Sequence, residues 1–322
     1  MNRRKSFQSV AIMVLSFVIG STVCAQPVKN RGKRLAPPAG PIVALTGATL
    51  IDGTGAAPLN DAVIVVQGKR ISAVGPAKSV RVPKNAKRID LAGLVVLPGL
   101  IDSHIHYGLE ALRGGGDVEA HSKLQEFIDC GVTTVKDLGD AFPWIIELKR
   151  KIEAGEIKGP RLFAAGPTFT APGGHPSGTL LKGNAGAIAA GVREVTDPEV
   201  ARAEVRKLKQ GGVDLIKAIY DGGDRRSPFG LLPKLDAGAL RAIVDEAHAS
   251  GLRVAVHWGN VSELPDVIEA RPDGLEHVTV SPIPDALIRH LAEQKLYVVP
   301  TAVAFKQFLP AMVFERGTLQ GP

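Results

Sequence analysis

The chain contains 322 residues, of which 45% are hydrophobic, and it carries a formal net charge of +7. This length suffices for one large α/β barrel or for two ordinary domains with buried cores. The charge does not indicate a nucleic-acid-binding surface. Residues 1–34 hold seven basic side chains and no acidic one, and removing these seven from the 39 Lys and Arg residues leaves 32, the number of Asp and Glu residues. A body of balanced charge lacks the basic surface that nucleic acid requires.

The N-terminal segment predicts an export signal. A positive start, Arg3 to Lys5, precedes an apolar run from Val10 to Ile19 that is too short to span a bilayer comfortably. Small residues then lead to a cleavage position after Ala25. We expect residues 1–25 to be a signal peptide and the mature protein to be periplasmic or secreted, without a membrane contact. An uncleaved N-terminal anchor helix is the alternative.

The next two segments predict a linker and a small β-domain. Residues 26–40 are polar, basic and rich in Pro, which is typical of a flexible linker. Residues 41–97 alternate short Val- and Ile-rich runs with Gly-containing turns, which predicts the N-terminal part of a β-sandwich. The predicted strands are Ile42–Leu45, Ala62–Gln67, Arg70–Val74 and Leu94–Leu97.

Residues 98–322 alternate short apolar runs with helical stretches. Asp197 and Asp236 are predicted N-caps of two of the helices. Repeated strand–helix units predict an α/β fold with a parallel sheet, either open or closed into a barrel. The predicted strands after the first are Val132–Lys136, Arg161–Ala165, Val213–Ile219, Arg253–His257, Gly274–His277 and Leu296–Pro300.

His104 and His106 follow the apolar stretch that begins this region. Residues i and i+2 of a strand point to the same side, so both imidazoles are expected on one face. There they could bind one metal ion, and neutral imidazole suits zinc. Asp102 shares that face and could orient them.

Lys217 lies within Val213–Ile219, a run that otherwise predicts a buried parallel strand. Burying an ammonium group is costly, so a buried lysine tends to lose its proton. A neutral amine can react with carbon dioxide to form a carbamate, whose oxygens could bridge two metal ions. The alternative is a lysine whose amine reaches solvent from the end of the strand.

His257 and His277 each end a predicted strand, on the face where barrel enzymes place their active sites. Taken singly, each is explained by a hydrogen-bonded structural histidine. Four histidines at three strand ends favour a shared metal site.

Together these motifs make the chain resemble the amidohydrolase superfamily, in its imidazolonepropionase-like or secreted dipeptidase-like branch. The resemblance covers roughly residues 41–305. It implies a (β/α)8 TIM barrel with a β-sandwich built from both ends of the chain. The positions that match the family's metal ligands are His104, His106, Lys217, His257 and His277.

The resemblance also implies a binuclear metal centre, usually of zinc. His104 and His106 would bind one ion, His257 and His277 the other, and carboxylated Lys217 would bridge them. A metal-bound hydroxide would attack the carbonyl carbon of an amide, peptide or cyclic amide bond. Lys217, His257 and His277 are therefore expected to be catalytic as well as metal-binding.

One departure from the family pattern concerns the end of the chain. The family places an Asp after the eighth barrel strand, but Leu296–Pro300 counts as the seventh strand, and Thr301–Pro322 contains no Asp. We therefore expect an incomplete barrel of about seven strands in a C-terminally truncated chain. A catalytically inactive, metal-binding member of the family is the alternative function.

Two further residues are candidates for substrate binding. His175 lies in a Gly-rich loop after the third strand, and Tyr220 follows Lys217 closely. An incidental loop histidine and a packing tyrosine are the alternatives. The expected partner is a small molecule or a dipeptide with a C-terminal proline or basic residue, and a homo-oligomer is possible. The alternative outside the enzymes is an exported binding protein whose ligand binding does not depend on metal.

Overall fold

The computed structural model describes residues 40–108, 117–225, 229–279 and 281–303. The predicted signal peptide, all but the last residue of the predicted linker, and residues 304–322 lie outside them. Within the described residues, no helix combines the length and apolar character needed to cross a membrane. The chain divides into two compact units, Met1–Leu97 and Pro98–Pro322.

The described part of the N-terminal unit is one five-stranded sheet. Its strands are β1 (Ile42–Leu50), β2 (Leu59–Gln67), β3 (Arg70–Pro76), β4 (Lys87–Asp90) and β5 (Val95–Val96). The order is β3-β2-β1-β4, with β5 also beside β1. Neighbours β1–β2 and β2–β3 are antiparallel, whereas β4 and β5 run parallel to β1. The second layer of the predicted β-sandwich stays a prediction.

The C-terminal unit is built from parallel strands in two sheets. The first sheet, in the order β6-β7-β8, contains β6 (Leu100–Ile105), β7 (Val132–Asp137) and β8 (Arg161–Ala164). The second has the order β10-β9-β11-β12-β13-β14. Its strands are β9 (Thr168–Thr170), β10 (Val192–Glu194), β11 (Leu215–Tyr220), β12 (Arg253–Trp258), β13 (Gly274–Glu276) and β14 (Tyr297–Val299).

Helices connect most of these strands, as the strand–helix alternation predicts. They are α1 (Asp117–Asp129), α2 (Trp144–Ala154), α3 (Ala185–Gly191), α4 (Pro198–Gly211), α5 (Ala237–Ala249), α6 (Leu264–Ala270) and α7 (Asp285–Glu293). Asp197 caps α4 by accepting hydrogen bonds from two backbone N–H groups, and Asp236 caps α5 in the same way with one. Helix α4 ends at Gly211, because Gly212 adopts the left-handed conformation that terminates it.

Strand β11 separates two buried environments. Ile216, Ala218 and Tyr220 pack in the large cluster that also contains residues of the helices. Leu215 packs instead with Ala255 of β12 in a smaller cluster on the other face. Because side chains alternate along a strand, Lys217 shares the face of Leu215. This face, opposite the helices, is the one that carries the candidate site.

Candidate metal centre

His104 and His106 meet at the carboxyl end of β6. Their Nε2 atoms are 3.2 Å apart. The Nδ1 atom of His106 lies 3.3 Å from the carbonyl oxygen of Gly139, and that of His104 lies 2.6 Å from a carboxylate oxygen of Glu276. Both partners are acceptors, so in the neutral rings the proton sits on Nδ1 and the two Nε2 lone pairs face each other. Asp102 accepts a hydrogen bond from the backbone N–H of His104 at 3.1 Å, so its carboxylate acts on the backbone of the histidine and not on its ring.

Burial keeps these imidazoles neutral. It lowers the pKa of His104, against the opposing effect of its hydrogen bond to Glu276, and it lowers the pKa of His106 to about 3. Two lone pairs that face each other at 3.2 Å repel unless a cation lies between them. Two nitrogens about 2.0–2.1 Å from one tetrahedral zinc ion would be roughly 3.3 Å apart.

His257 and His277 extend the cluster. The ring centroid of His277 lies 4.6 Å from that of His104 and 4.5 Å from that of His257. His277 follows β13 with a φ of 76°, and its backbone N–H donates to Val299 of β14. Burial also lowers the pKa of both rings. Four neutral histidines from β6, β12 and the end of β13 thus form one continuous group.

Lys217 lies on the same face of the sheet as His257, because Ile219, two residues after Lys217 on β11, pairs with His257 of β12. The side chain of Lys217 is buried, with 1% of the residue exposed, and Nζ has no hydrogen-bond partner among the described residues. Burial lowers the pKa of Lys217 to about 7. The positive charge of the protonated amine also contributes to the lowered pKa of all four histidines.

These residues fit a divalent cation, although no ion is part of the structure. In the described residues, no three His, Cys, Asp or Glu side chains are arranged to hold an ion as they stand. The lone pairs of His104 and His106 nonetheless face each other without a hydrogen atom between them. The amine of Lys217 also has no hydrogen-bond partner among the described residues. Neutral imidazoles and an anionic form of the lysine supply the ligand types that zinc prefers.

His175 lies at the rim of the cluster. Its ring centroid is 5.0 Å from that of His257, and its Nδ1 atom is 2.7 Å from the hydroxyl of Thr179. Burial lowers the pKa of His175 to about 4, so this ring is neutral as well. The loop after β9 therefore brings the predicted substrate-binding histidine to the candidate site.

Tyr220 requires a correction, because the structure does not bring it to the site. The side chain is on the helix-facing side of β11, three residues from Lys217 and therefore on the opposite face. Its hydroxyl donates a 2.5 Å hydrogen bond to Asp266 of α6, and Lys234 Nζ lies 3.9 Å from the ring centroid. Tyr220 is thus a packing residue with a satisfied hydroxyl.

Three charged residues at the site were not among the sequence predictions. Glu276 is fully buried on β13, and its carboxylate contacts both His104 and Lys136 of β7, at 2.6 and 2.8 Å. Asp221, after β11, lies 3.2 Å from Nε2 of His257. A charged residue within a strand, such as Glu276 on β13 or Lys136 on β7, signals a buried ionic partner without identifying it, and the partner of Asp221 cannot be inferred from its sequence neighbours.

Two buried carboxylates hold the turn that follows His106. Asp137 accepts the backbone N–H of Tyr107 at 2.7 Å, and Asp140 accepts that of Gly108 at 2.5 Å. Burial raises the pKa of Asp137 to about 6, and burial together with the charge of Asp137 raises the pKa of Asp140 well above its ordinary value. The position of His106 therefore depends on β7 and the loop after it.

The sequence and the structure were compared with those of known proteins. The model of the amidohydrolase family matches residues 95–302. The chain is 27% identical over 231 residues to an enamidase of Eubacterium barkeri, a match that covers 68% of this chain and 52% of the enamidase. The chain spans about half the length of the curated relatives that it matches.

Two solved structures resemble this fold at higher coverage. A Xaa-Pro dipeptidase with methionine bound in its active site has a TM-score of 0.69 and 28% identity, over 84% of this chain and 72% of that one. A prolidase complexed with N-methylphosphonate-L-proline has a TM-score of 0.68 and 29% identity, over 81% and 66%. The parallel strands and their helices are accordingly those of a TIM-barrel-like α/β fold, and the chain belongs to the amidohydrolase family.

Proposed function

We propose that this protein is a metal-dependent hydrolase of carbon–nitrogen bonds in amides, peptides or cyclic amides. The proposal is carried by four neutral histidines and by the buried amine of Lys217, which has no hydrogen-bond partner among the described residues. The residues that would hold two divalent ions, with zinc as the ion that neutral imidazole suits, are His104, His106, Lys217, His257 and His277.

Bound divalent ions would lower the pKa of water and polarise a substrate carbonyl. The contribution of Lys217 follows from its burial. With a pKa of about 7, Lys217 is an uncharged amine in a large fraction of the molecules at neutral pH. The Nζ lone pair can form an N–C bond to carbon dioxide with release of one proton, which gives an anionic carbamate in place of an uncompensated ammonium. That anion would serve as a metal ligand together with the four histidines.

Substrate recognition is assigned to His175. The Nδ1–H of His175 can donate to the hydroxyl of Thr179, and the lone pair is then on Nε2. The ring centroid of His175 lies 5.0 Å from that of His257. The names of the prolidase and the Xaa-Pro dipeptidase favour a dipeptide with C-terminal proline, and dipeptides with C-terminal Arg or Lys and cyclic amides are further candidates. The proposed location is the periplasm or the exterior of the cell, in keeping with the N-terminal segment.

The test is hydrolysis by the purified full chain after incubation with zinc. A panel of Xaa-Pro, Xaa-Arg and Xaa-Lys dipeptides and a cyclic amide is assayed by the release of amine, and bound metal is counted by elemental analysis. We expect about two ions per chain and turnover that a chelator abolishes. His257→Ala is expected to lose metal and activity, whereas His290→Ala, on the exposed face of α7, is the matched control.

The alternatives give different results in the same experiment. Bound metal without turnover on any member of the panel would indicate an inactive, metal-binding member of the family. Absence of bound metal in the folded wild-type chain would contradict the proposal.

A further inference from the structure

Glu276 connects two parallel sheets across the interior of the C-terminal unit. One carboxylate oxygen lies 2.6 Å from Nδ1 of His104 on β6, and the other lies 2.8 Å from Nζ of Lys136 on β7. The Lys136 amine also lies 3.5 Å from the hydroxyl of Tyr297 on β14. The Glu276 side chain is fully buried, so both of its oxygens depend on these protein partners.

The direction of the hydrogen bond to His104 follows from this arrangement. An ionised carboxylate can only accept hydrogen bonds, and a neutral imidazole carries a single N–H. The proton of His104 must therefore sit on Nδ1, which leaves the Nε2 lone pair directed at His106, 3.2 Å away. A hydrogen bond at the far nitrogen of a ligating histidine commonly fixes the tautomer in this way.

Lys136 allows Glu276 to remain ionised in a buried position. Lys136 Nζ can only donate hydrogen bonds, and it lies 2.8 Å from one carboxylate oxygen, so it places a positive charge directly beside the buried carboxylate. An unpaired carboxylate in this environment would be costly. Lys136, at 17% side-chain exposure, supplies the opposite charge while it remains partly solvated.

We propose that Glu276 and Lys136 form a positioning pair that sets the tautomer of His104 and thereby the affinity of the His104–His106 pair for a metal ion. The part of this inference that concerns metal affinity rests on the proposed function. The tautomer itself is a property of the metal-free chain. An ion pair with a purely structural role would change the stability of the fold but not the tautomer.

Glu276→Gln gives a specific prediction, because the side-chain amide has one acceptor and one donor end. Lys136 can only donate, so it attracts the amide oxygen, and the NH2 group then faces Nδ1 of His104. The imidazole must become an acceptor at Nδ1, and its proton moves to Nε2. When Lys136→Met is added, the amide oxygen is no longer held by a donor and can accept the Nδ1 proton again. The double variant should therefore restore the wild-type tautomer.

The experiment uses the full chain with 15N-labelled histidine. Long-range 1H–15N NMR of the metal-free protein reports the tautomer of His104, and titration with Co2+ followed by visible absorption reports metal affinity. We expect Nδ1–H in the wild type and Nε2–H in Glu276→Gln, with Co2+ affinity about 10- to 100-fold weaker. The double variant should regain Nδ1–H and most of the affinity. Glu246→Gln, which removes the carboxylate of the Arg206–Glu246 pair at 2.7 Å between α4 and α5, should change neither.

Several outcomes would overturn the inference. They are an Nε2–H tautomer of His104 in the wild type, an unchanged tautomer in folded Glu276→Gln, and an unchanged Co2+ affinity in that variant. If the folded wild type binds no Co2+, the proposed function and the affinity part of the inference fail together, and the NMR result then decides the tautomer claim alone. Because the wild-type measurement requires no substitution, a misfolded variant does not prevent a decision.

Discussion

The Nδ1 atom of His277 lies 2.6 Å from the hydroxyl oxygen of Thr301, which follows β14 by two residues. The buried His277 ring is neutral, so its Nδ1–H can donate to that oxygen, and Nε2 is then the nitrogen that carries the lone pair. His175 and Thr179 repeat the arrangement at 2.7 Å. The chain thus contains two His–Thr contacts of the same chemistry, one at a proposed metal ligand and one at a proposed substrate contact.

Thr301→Val is expected to weaken metal binding. The substitution keeps the shape of the side chain but removes the partner of His277 Nδ1, and loss of such a partner typically lowers metal affinity by about 10- to 100-fold. Co2+ titration of the folded variant measures the effect. Thr179→Val is the matched control, with unchanged metal affinity and a higher KM. Equal Co2+ affinities of Thr301→Val and the wild type would contradict the assignment of His277.

His175→Ala should separate substrate binding from metal binding. The His175 ring contacts His257 at a centroid distance of 5.0 Å but belongs to neither proposed metal pair. We expect the zinc content to remain at the wild-type value while kcat/KM falls about 10-fold or more, since a 1.4 kcal/mol loss of binding corresponds to a factor of ten. Elemental analysis and steady-state kinetics measure the two quantities. Loss of zinc from the folded variant would reassign His175 as a ligand.

Tyr220→Phe should affect stability and leave catalysis unchanged. The variant loses the hydrogen bond to Asp266, and hydrogen bonds to charged groups contribute about 1.5–3 kcal/mol. Asp266 retains Lys234 at 3.8 Å, so the lower end of this range is expected for the decrease in the free energy of unfolding. Urea denaturation and kcat/KM are the measurements. A tenfold loss of kcat/KM at unchanged stability would restore the original assignment of Tyr220 to the substrate.

Asp140→Asn should alter the pH dependence of stability. The raised pKa of Asp140 means that, as the pH rises above the ordinary pKa of an aspartate, the folded chain retains a proton that the unfolded chain releases. The free energy of unfolding must then fall as pH rises above that value, by up to about 1.4 kcal/mol per pH unit for one proton.

The comparison with Asp140→Asn isolates this contribution from those of other groups. The variant should show a shallower decline in unfolding free energy from pH 4 to pH 6, measured by urea denaturation of the metal-free chain. Parallel curves for the two proteins would mean that Asp140 is ionised throughout this range.

The candidate ligands could be singled out from the sequence because they follow from local rules. His104 and His106 are two residues apart at a strand end, so strand periodicity places both on one face of that strand. Lys217 interrupts an apolar run, which marks it as a buried charge. The same periodicity argues against Tyr220, which is an odd number of residues from Lys217. The error at Tyr220 came from using proximity along the chain in place of strand parity.

The supporting contacts could not be predicted, because they depend on how distant strands meet. The partners of Glu276 lie 172 and 140 residues away, and nothing near Glu276 in the sequence indicates either of them. The short strands β9 and β10 were also missed, since each has one apolar residue in three and lacks the apolar run that marks a strand. The alternation of longer strands and helices was sufficient to predict the α/β architecture.

The 172-residue separation between His104 and Glu276 has a consequence for when the proposed metal ions would bind during folding. Local turns close quickly, but a contact of this length forms only after most of the intervening chain has assembled. Before that stage, His104 lacks the hydrogen bond to Glu276 that fixes its tautomer. Metal uptake should therefore be a late event that reports completed assembly, and refolding with metal present should show Co2+ absorption only after the helical signal has recovered.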